Sequence, residues 1–159
     1  MSLKYSGPEV MEMAVQTERG GKAFYEEVAG HTDHEELRGL FRFLAAEEDK
    51  HVATFRQIAR TIAERPEEMP YKWDEVVPYI NALVSSRYFL DGDKALALAR
   101  QATTPRAALE HAIGFEKETL LFYTELFDLV AEQNRAAVRA LVAEEKTHVV
   151  KLSRLLSSL

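Results

Sequence analysis

The sequence predicts an all-α protein built from two long helical hairpins, and three observations carry that prediction. Apolar residues recur at three- and four-residue steps over four stretches, near residues 8–29, 33–64, 105–130 and 134–157. Helix-start chemistry opens several of them, with a small polar residue followed by Pro or an acidic residue. Finally, the first half returns in the second. Ala46-Glu47-Glu48-Asp49-Lys50-His51 is answered by Ala143-Glu144-Glu145-Lys146-Thr147-His148, and Glu18 with Phe24-Tyr25 by Glu116 with Phe122-Tyr123. Glu18 lies 30 residues before Glu48, and Glu116 lies 29 before Glu145. Chance does not readily produce that double correspondence.

Ser6-Gly7-Pro8-Glu9 reads as the first helix start, with Ser as N-cap, Pro in the first turn and Glu at N3. Met11, Ala14, Glu18, Gly21, Tyr25 and Val28 then share a face, a carboxylate in its middle. Gly20-Gly21 costs about 1 kcal/mol per residue against Ala in a helix interior. The pair either loosens the helix or makes room for close packing beside a site. Gly30-His31-Thr32 predicts a turn, with Asp33 as cap of the second helix and Glu36 at the matching position. His31 and His34 are expected to be solvated there. The second helix stops before Pro66, and its face runs Phe41, Leu44, Glu48, His51, Val52, Phe55, Ile58.

Residues 66–104 are less regular, with Pro66, Pro70 and Pro78 and a turn at Asp91-Gly92-Asp93. Two short helices are expected, near 74–88 and 93–102. The apolar run from Val76 to Leu90 either covers one end of the bundle or forms a subunit interface. Thr104-Pro105 repeats the cap-then-Pro signal. On the third long helix Leu109, Ala112, Ile113, Glu116, Leu120, Tyr123 and Phe127 line one face, and His111 is expected at the surface, away from Glu116. Near Asn134 the chain turns into the fourth, with Val138, Leu141, Val142, Glu145, His148, Val149, Leu152 and Leu155 as its inner stripe.

Composition bounds the chemistry. The 159 residues can build one domain, 1–159, with a full core. A net charge of −6 speaks against a broad nucleic-acid or anionic-membrane surface. The absence of cysteine removes disulfides, thiol catalysis and Cys-ligated metal centres. No apolar run reaches the ~18–20 residues of a membrane span, and the start lacks a signal-peptide pattern. The expectation is a soluble, cytoplasmic protein.

In each copy of the repeated motif a Glu precedes a His by three residues, so both side chains project from one helix face and can grip one ion. At ~1.5 Å per residue, Glu18 comes level with Glu48 across the first turn, and Glu116 with Glu145 across the second. Facing hairpins would place four Glu and two His in one core layer. Burying one ionised carboxylate costs several kcal/mol, and four together repel. Protonation quenches part of that charge, whereas two divalent cations cancel it. Oxygen-rich ligation with one imidazole per ion suits iron or manganese, and zinc also binds such sets.

With these residues the chain resembles the ferritin-like superfamily, and most closely its rubrerythrin-related branch. A Glu from each of two helices and a Glu-x-x-His from each of the other two is that group's signature. The resemblance covers hairpins 8–64 and 105–157, with residues 66–104 matching as a long crossover between the second and third long helices. It implies Glu18 and Glu116 as terminal ligands, Glu48 and Glu145 as bridges, and His51 and His148 as ligands to one metal each. Tyr25 and Tyr123 either hydrogen-bond to ligands or simply pack in the core.

Departures from the family narrow the expectation. Rubrerythrins proper carry a Cys-rich electron-delivery domain, which a chain without cysteine cannot form. They add a carboxylate on the third helix, where this chain has Thr119 one turn after Glu116. Asp49 stands where bacterioferritins place a haem-binding Met, so haem is not expected. Leu159 leaves no room for the fifth helix of cage ferritins, which favours a homodimer or small oligomer. The leading expectation is a di-iron protein that oxidises Fe(II) or reduces peroxide or dioxygen, with an unidentified electron donor. Its alternatives are non-enzymatic iron handling and a structural bundle holding zinc or manganese.

Overall fold

The structure is a computed structural model that describes residues 7–64, 73–86, 88 and 91–159. Among the described residues there are six helices: α1 (Gly7–His31), α2 (Glu35–Glu64), α3 (Trp73–Val84), α4 (Gly92–Gln101), α5 (Pro105–Leu129) and α6 (Glu132–Ser158). The four long ones are the predicted four, within about two residues at each end. The proposed cap at Ser6 and the breaks at Pro66 and Pro70 lie outside the described residues.

Local chemistry explains the boundaries. The predicted turn at Gly30 and His31 is instead the last turn of α1, and the chain reverses over Thr32, Asp33 and His34. Asp33 does not cap α2. His34 does, its ring Nδ1 accepting from Leu37 N at 3.2 Å, while His34 N donates to Thr32 Oγ1. Arg38 then clamps the turn by donating to the Thr32 carbonyl at 2.6 Å. Moving the cap from Asp33 to His34 shortens α2 by one residue and uses a histidine expected to be solvated. Further on, Asp91 caps α4 by accepting from Lys94 N, and Thr104 caps α5 by accepting from Ala107 N, with Pro105 in its first turn. Helix α3 runs through Pro78 and ends at Val84, short of the predicted 88, where Ser85 Oγ and N both bond back to the Asn81 carbonyl.

The molecule packs as hairpins α1–α2 and α5–α6, joined by a crossover whose α4 lies along α1 and whose α3 lies against α5. Two apolar clusters fill the bundle. One surrounds Phe24, Phe41, Leu98 and Phe115 toward the α1–α2 turn, and the other surrounds Met11, Phe55, Phe122 and Leu141 toward the α5–α6 turn. Each buried large apolar side chain contributes roughly 1.5–3 kcal/mol, so these clusters hold the hairpins together. On α1 and α2 the predicted inner faces are buried throughout. On α5 the face is rotated: Ile113, Leu120 and Phe127 are half-buried, while Phe115, Thr119, Phe122 and Leu126 are buried. The crossover covers that second flank of α5, so its apolar stripe widens beyond the part facing α6. On α6, Val142 and Val149 are likewise half-buried.

Gly21 settles the question raised by the glycine pair. A Cβ there would lie 2.7 Å from the Phe115 ring and 3.2 Å from Glu48 Oε1. Glycine lets α1 close onto Phe115 beside the carboxylate layer.

Candidate metal centre

Between the two apolar clusters lies the polar layer. Glu18 on α1, Glu48 and His51 on α2, Glu116 on α5, and Glu145 and His148 on α6 are all buried, the four carboxylates fully. The i, i+3 spacing on α2 and α6 aims each Glu and His inward together. The six predicted site residues are therefore brought into one place, in two overlapping groups. Glu18, Glu48, His51 and Glu145 each offer a ligand atom within 4.8 Å of the others, and Glu116, Glu145 and His148 do the same. Glu145 belongs to both.

The contacts within the layer are those of groups aimed at common points. His51 Nδ1 lies 2.8 Å from Glu145 Oε1, 3.2 Å from Glu48 Oε2 and 3.5 Å from Glu18 Oε2, yet it hydrogen-bonds to none of them. Both oxygens of Glu18 and of Glu48, with Glu116 Oε2 and Glu145 Oε1, have no hydrogen-bond partner. Buried carboxylate oxygens normally find donors, so six orphans in one layer are a large unbalanced cost for a metal-free core. His148 Nδ1 is better served, 2.8 Å from Glu145 Oε2. The two imidazoles stack with centroids 5.6 Å apart.

Electrostatics reflects the same crowding. Burial pushes Glu48 well above the usual carboxylate range, helped by the charge on Glu18. Burial does the same to Glu116, with the charges of Glu145 and Glu48 adding. Glu18 is raised by burial, although contacts with Glu48 and His51 oppose it. Burial would raise Glu145 too, but His148 and His51 beside it hold it low. His51 is disfavoured as a cation by burial, yet the carboxylates of Glu145, Glu18 and Glu48 around it raise it far above its ordinary value. Without metal the layer thus keeps itself partly neutral by holding protons. The donor set fits two cations: mostly carboxylate oxygens, one imidazole per group, and one carboxylate shared.

The surrounding shell contains both foreseen and unforeseen residues. The Tyr25 hydroxyl donates to Glu116 Oε1, and burial followed by the Glu116 charge raises that phenol well above its ordinary value. Tyr123 packs on Phe55 with centroids 4.8 Å apart, and its buried hydroxyl has no partner. Of the two readings for the tyrosines, Tyr25 follows one and Tyr123 the other. Glu144 was not anticipated. Its Oε2 lies 2.9 Å from His51 Nε2, an arrangement that fixes the ring and leaves Nδ1 facing the carboxylates. The doubled Glu in both motif copies was the available signal. His31 and His34 stay at the α1–α2 turn. His111 faces away from the layer but is not a surface residue, being half-buried with its ring 6.2 Å from that of Tyr88.

The fold has a counterpart among solved structures. A protein from Thermotoga maritima, provisionally assigned as a ferritin-like diiron-carboxylate protein, superposes with a TM-score of 0.69 over 97% of this chain and 96% of its own. Their sequences are 23% identical, so that likeness concerns the fold, which is ferritin-like. The sequence itself matches the rubrerythrin family over residues 9–156, and the chain belongs to that family. Among proteins with curated descriptions, none matches it. No helix among the described residues is long and apolar enough to cross a membrane.

Proposed function

We propose that the buried layer holds two iron ions and that the protein is an oxidoreductase, turning over Fe(II) with hydrogen peroxide or dioxygen. The observation that carries this reading is the set of unpartnered, fully buried carboxylate oxygens facing one another and two imidazoles. Glu18, Glu48, His51 and Glu145 would hold one ion, and Glu116, Glu145 and His148 the other, with Glu145 offering a donor to both groups. The chemistry that an iron pair supplies there is two one-electron oxidations, which with two protons convert one hydrogen peroxide to two waters. Glu144 holds the His51 ring with Nδ1 turned inward. Tyr25 keeps a proton at Glu116 Oε1, where a carboxylate losing or gaining charge can use it. The apolar clusters on both sides keep bulk water from the carboxylates, which strengthens their attraction for cations.

The test is anaerobic loading with Fe(II), followed by oxidant addition and absorbance. The reading requires close to two iron ions per chain and a rapid new absorption on adding peroxide or dioxygen. Iron bound without oxidation would reduce the protein to metal handling, and failure to bind iron would remove the proposal.

A further inference from the structure

The residue that starts α2 is an uncommon cap, and its chemistry ties the α1–α2 turn to pH. Serine, threonine, asparagine and aspartate cap with an oxygen that accepts throughout the range around neutrality. His34 caps with a ring nitrogen, its Nδ1 accepting from Leu37 N at 3.2 Å. A ring nitrogen accepts only while it carries no proton, so this bond exists only in the neutral imidazole, with the proton on Nε2. The imidazolium has two donors and no acceptor, and histidines gain that second proton within the pH 5–8 window.

The rest of the turn is already engaged. Thr32 Oγ1 accepts from His34 N, and the Thr32 carbonyl accepts from Arg38. The charged neighbours in sequence are Asp33, His31 at the end of α1, and Glu35, Glu36 and Arg38 in the first turn of α2. Glu35 pairs with Arg38 at 3.5 Å, and Glu36 lies on the flank it shares with Arg154 of α6. From the α4–α5 side the ring's surroundings are Ala102, Thr103, Thr104, Pro105 and Ala108, none of which titrates. A protonated ring is disfavoured at its post twice over. It loses the bond to Leu37, and it sets a positive charge at the positive end of α2. It also has somewhere to go. His34 borders a cavity of about 210 Å³ whose edge includes the exposed His31, Asp33 and Thr103. The ring can turn outward there without displacing the buried Val28 or Leu37.

We propose that His34 is an acid-released latch on the α1–α2 turn. Neutral, it holds the turn onto the first turn of α2; protonated, it lets that turn open while the bundle stays folded. Glu48, the nearest layer residue on α2, is 14 residues further on, roughly 21 Å along the helix. The latch therefore stands independently of the proposed metal chemistry.

Nuclear magnetic resonance on the isotope-labelled full chain tests it. A coupling across the hydrogen bond between Leu37 N and His34 Nδ1 is expected at pH 8 and should vanish at pH 5. Protection of the Leu37 amide, corrected for the intrinsic pH dependence of exchange, should fall about fivefold over the same range, as the loss of one cap does. Leu44, deeper in α2, should not follow. The stability that the carboxylate layer gains toward pH 5 has the opposite sign and acts on the whole bundle, so the Leu37 to Leu44 ratio isolates the latch. His34→Asn supplies a cap that gains no proton, and its Leu37 protection should be flat. His31→Asn removes the neighbouring histidine and should still show the fall. No coupling at pH 8, equal Leu37 protection at both pH values, or a fall that persists in His34→Asn would overturn the proposal.

Discussion

The two hairpins repeat one another at an offset of 97 or 98 residues, yet their halves of the carboxylate layer are not equivalent. His51, on the first hairpin, is oriented by Glu144 from the second. The matching Glu47 is held by Lys50, 2.5 Å away on its own helix. One of the two differences between the motif copies bears on this: Thr147 occupies the place of Lys50 and bonds to its own backbone, so Glu144 has no lysine three residues on to hold it. The tyrosines differ in the same way, with Tyr25 bonded to Glu116 and Tyr123 unbonded. Gly21 admits Phe115 against α1, whereas its counterpart Thr119 lines a crevice. A repeat in ligand positions therefore coexists with asymmetry in what surrounds them. One consequence is that the group of four donors should fill before the group of three, giving two distinguishable binding steps for Zn(II) or anaerobic Fe(II).

The largest effects should come from Glu145, which both donor groups share, and from Glu48. Glu145→Ala strips a donor from both groups and should abolish tight binding of the pair and most Fe(II) oxidation. Glu48→Ala should lose the pair too, while keeping the Glu116 group partly able to bind. Both losses should exceed the roughly tenfold to hundredfold typical of residues one layer further out. Glu18→Ala removes an end ligand that water can partly replace, so metal is retained and oxidation slows. Iron per chain and oxidation rate across these variants, with His111→Ala as a distant control, decide the assignment. Full activity in Glu145→Ala would show that the layer is not the site.

Metal removal tests the layer as a whole. Saturation at about a hundred times Kd stabilises by about 2.7 kcal/mol, which for a chain of this size shifts Tm by roughly 5–10 °C. The pH dependence of the metal-free protein has a definite sign. Glu18, Glu48 and Glu116 are raised above their ordinary 4.5, so the folded state holds protons that the unfolded chain releases above that value. Their contribution is present at low pH and lost as pH rises through the raised folded values. His51, raised from 6.5, acts in the same direction. Glu145 is lowered and acts oppositely, but only as pH falls below the ordinary carboxylate range. Between pH 8 and pH 5 the apo protein should gain stability and approach the metal-loaded form. Glu48→Gln, which cannot titrate, should flatten that trend; an unchanged slope would remove Glu48 from it.

The two histidine supports give a smaller, one-sided effect. Glu144→Ala should weaken metal binding about tenfold through loss of the His51 anchor, while Glu47→Ala should be nearly silent. Comparable losses from both would show that the asymmetry does not persist once metal is bound.

These contrasts also show what a sequence can reveal. The four long helices and the six layer residues were legible because they obey periodicity and repeat at matched heights along the bundle. Glu18 and Glu116 stood out as carboxylates among apolar neighbours at helical spacing. What stayed hidden depends on partners distant in sequence. Nothing near Glu144 announces His51, 93 residues away, and nothing near Tyr25 announces Glu116. The cap of α2 was misplaced because histidine ranks low among capping residues, and only the turn clamped by Arg38 makes His34 suitable. The α5 stripe was read too narrowly because the crossover adds a second covered flank.

The smallest predicted contrast is between the tyrosines, and it is the sharpest check on the asymmetry. Tyr25→Phe removes the donor to Glu116 Oε1 and leaves both oxygens of a buried carboxyl without partners. Orphaning such an atom costs about 1–3 kcal/mol, so the apo protein should melt lower by roughly 2–12 °C. Tyr123→Phe keeps the ring against Phe55 and removes a hydroxyl that had no partner to lose. Replacing an unsatisfied buried polar group by carbon of similar shape is neutral or stabilising, so its melting temperature should hold or rise slightly. Zn(II)-loaded samples extend the comparison without redox chemistry. If metal draws Glu18 toward Tyr123, the second variant will lose stability only when loaded, and the halves converge on binding. Equal destabilisation of both variants in the apo protein would mean that Tyr123 has a partner there after all, and that the two halves are alike.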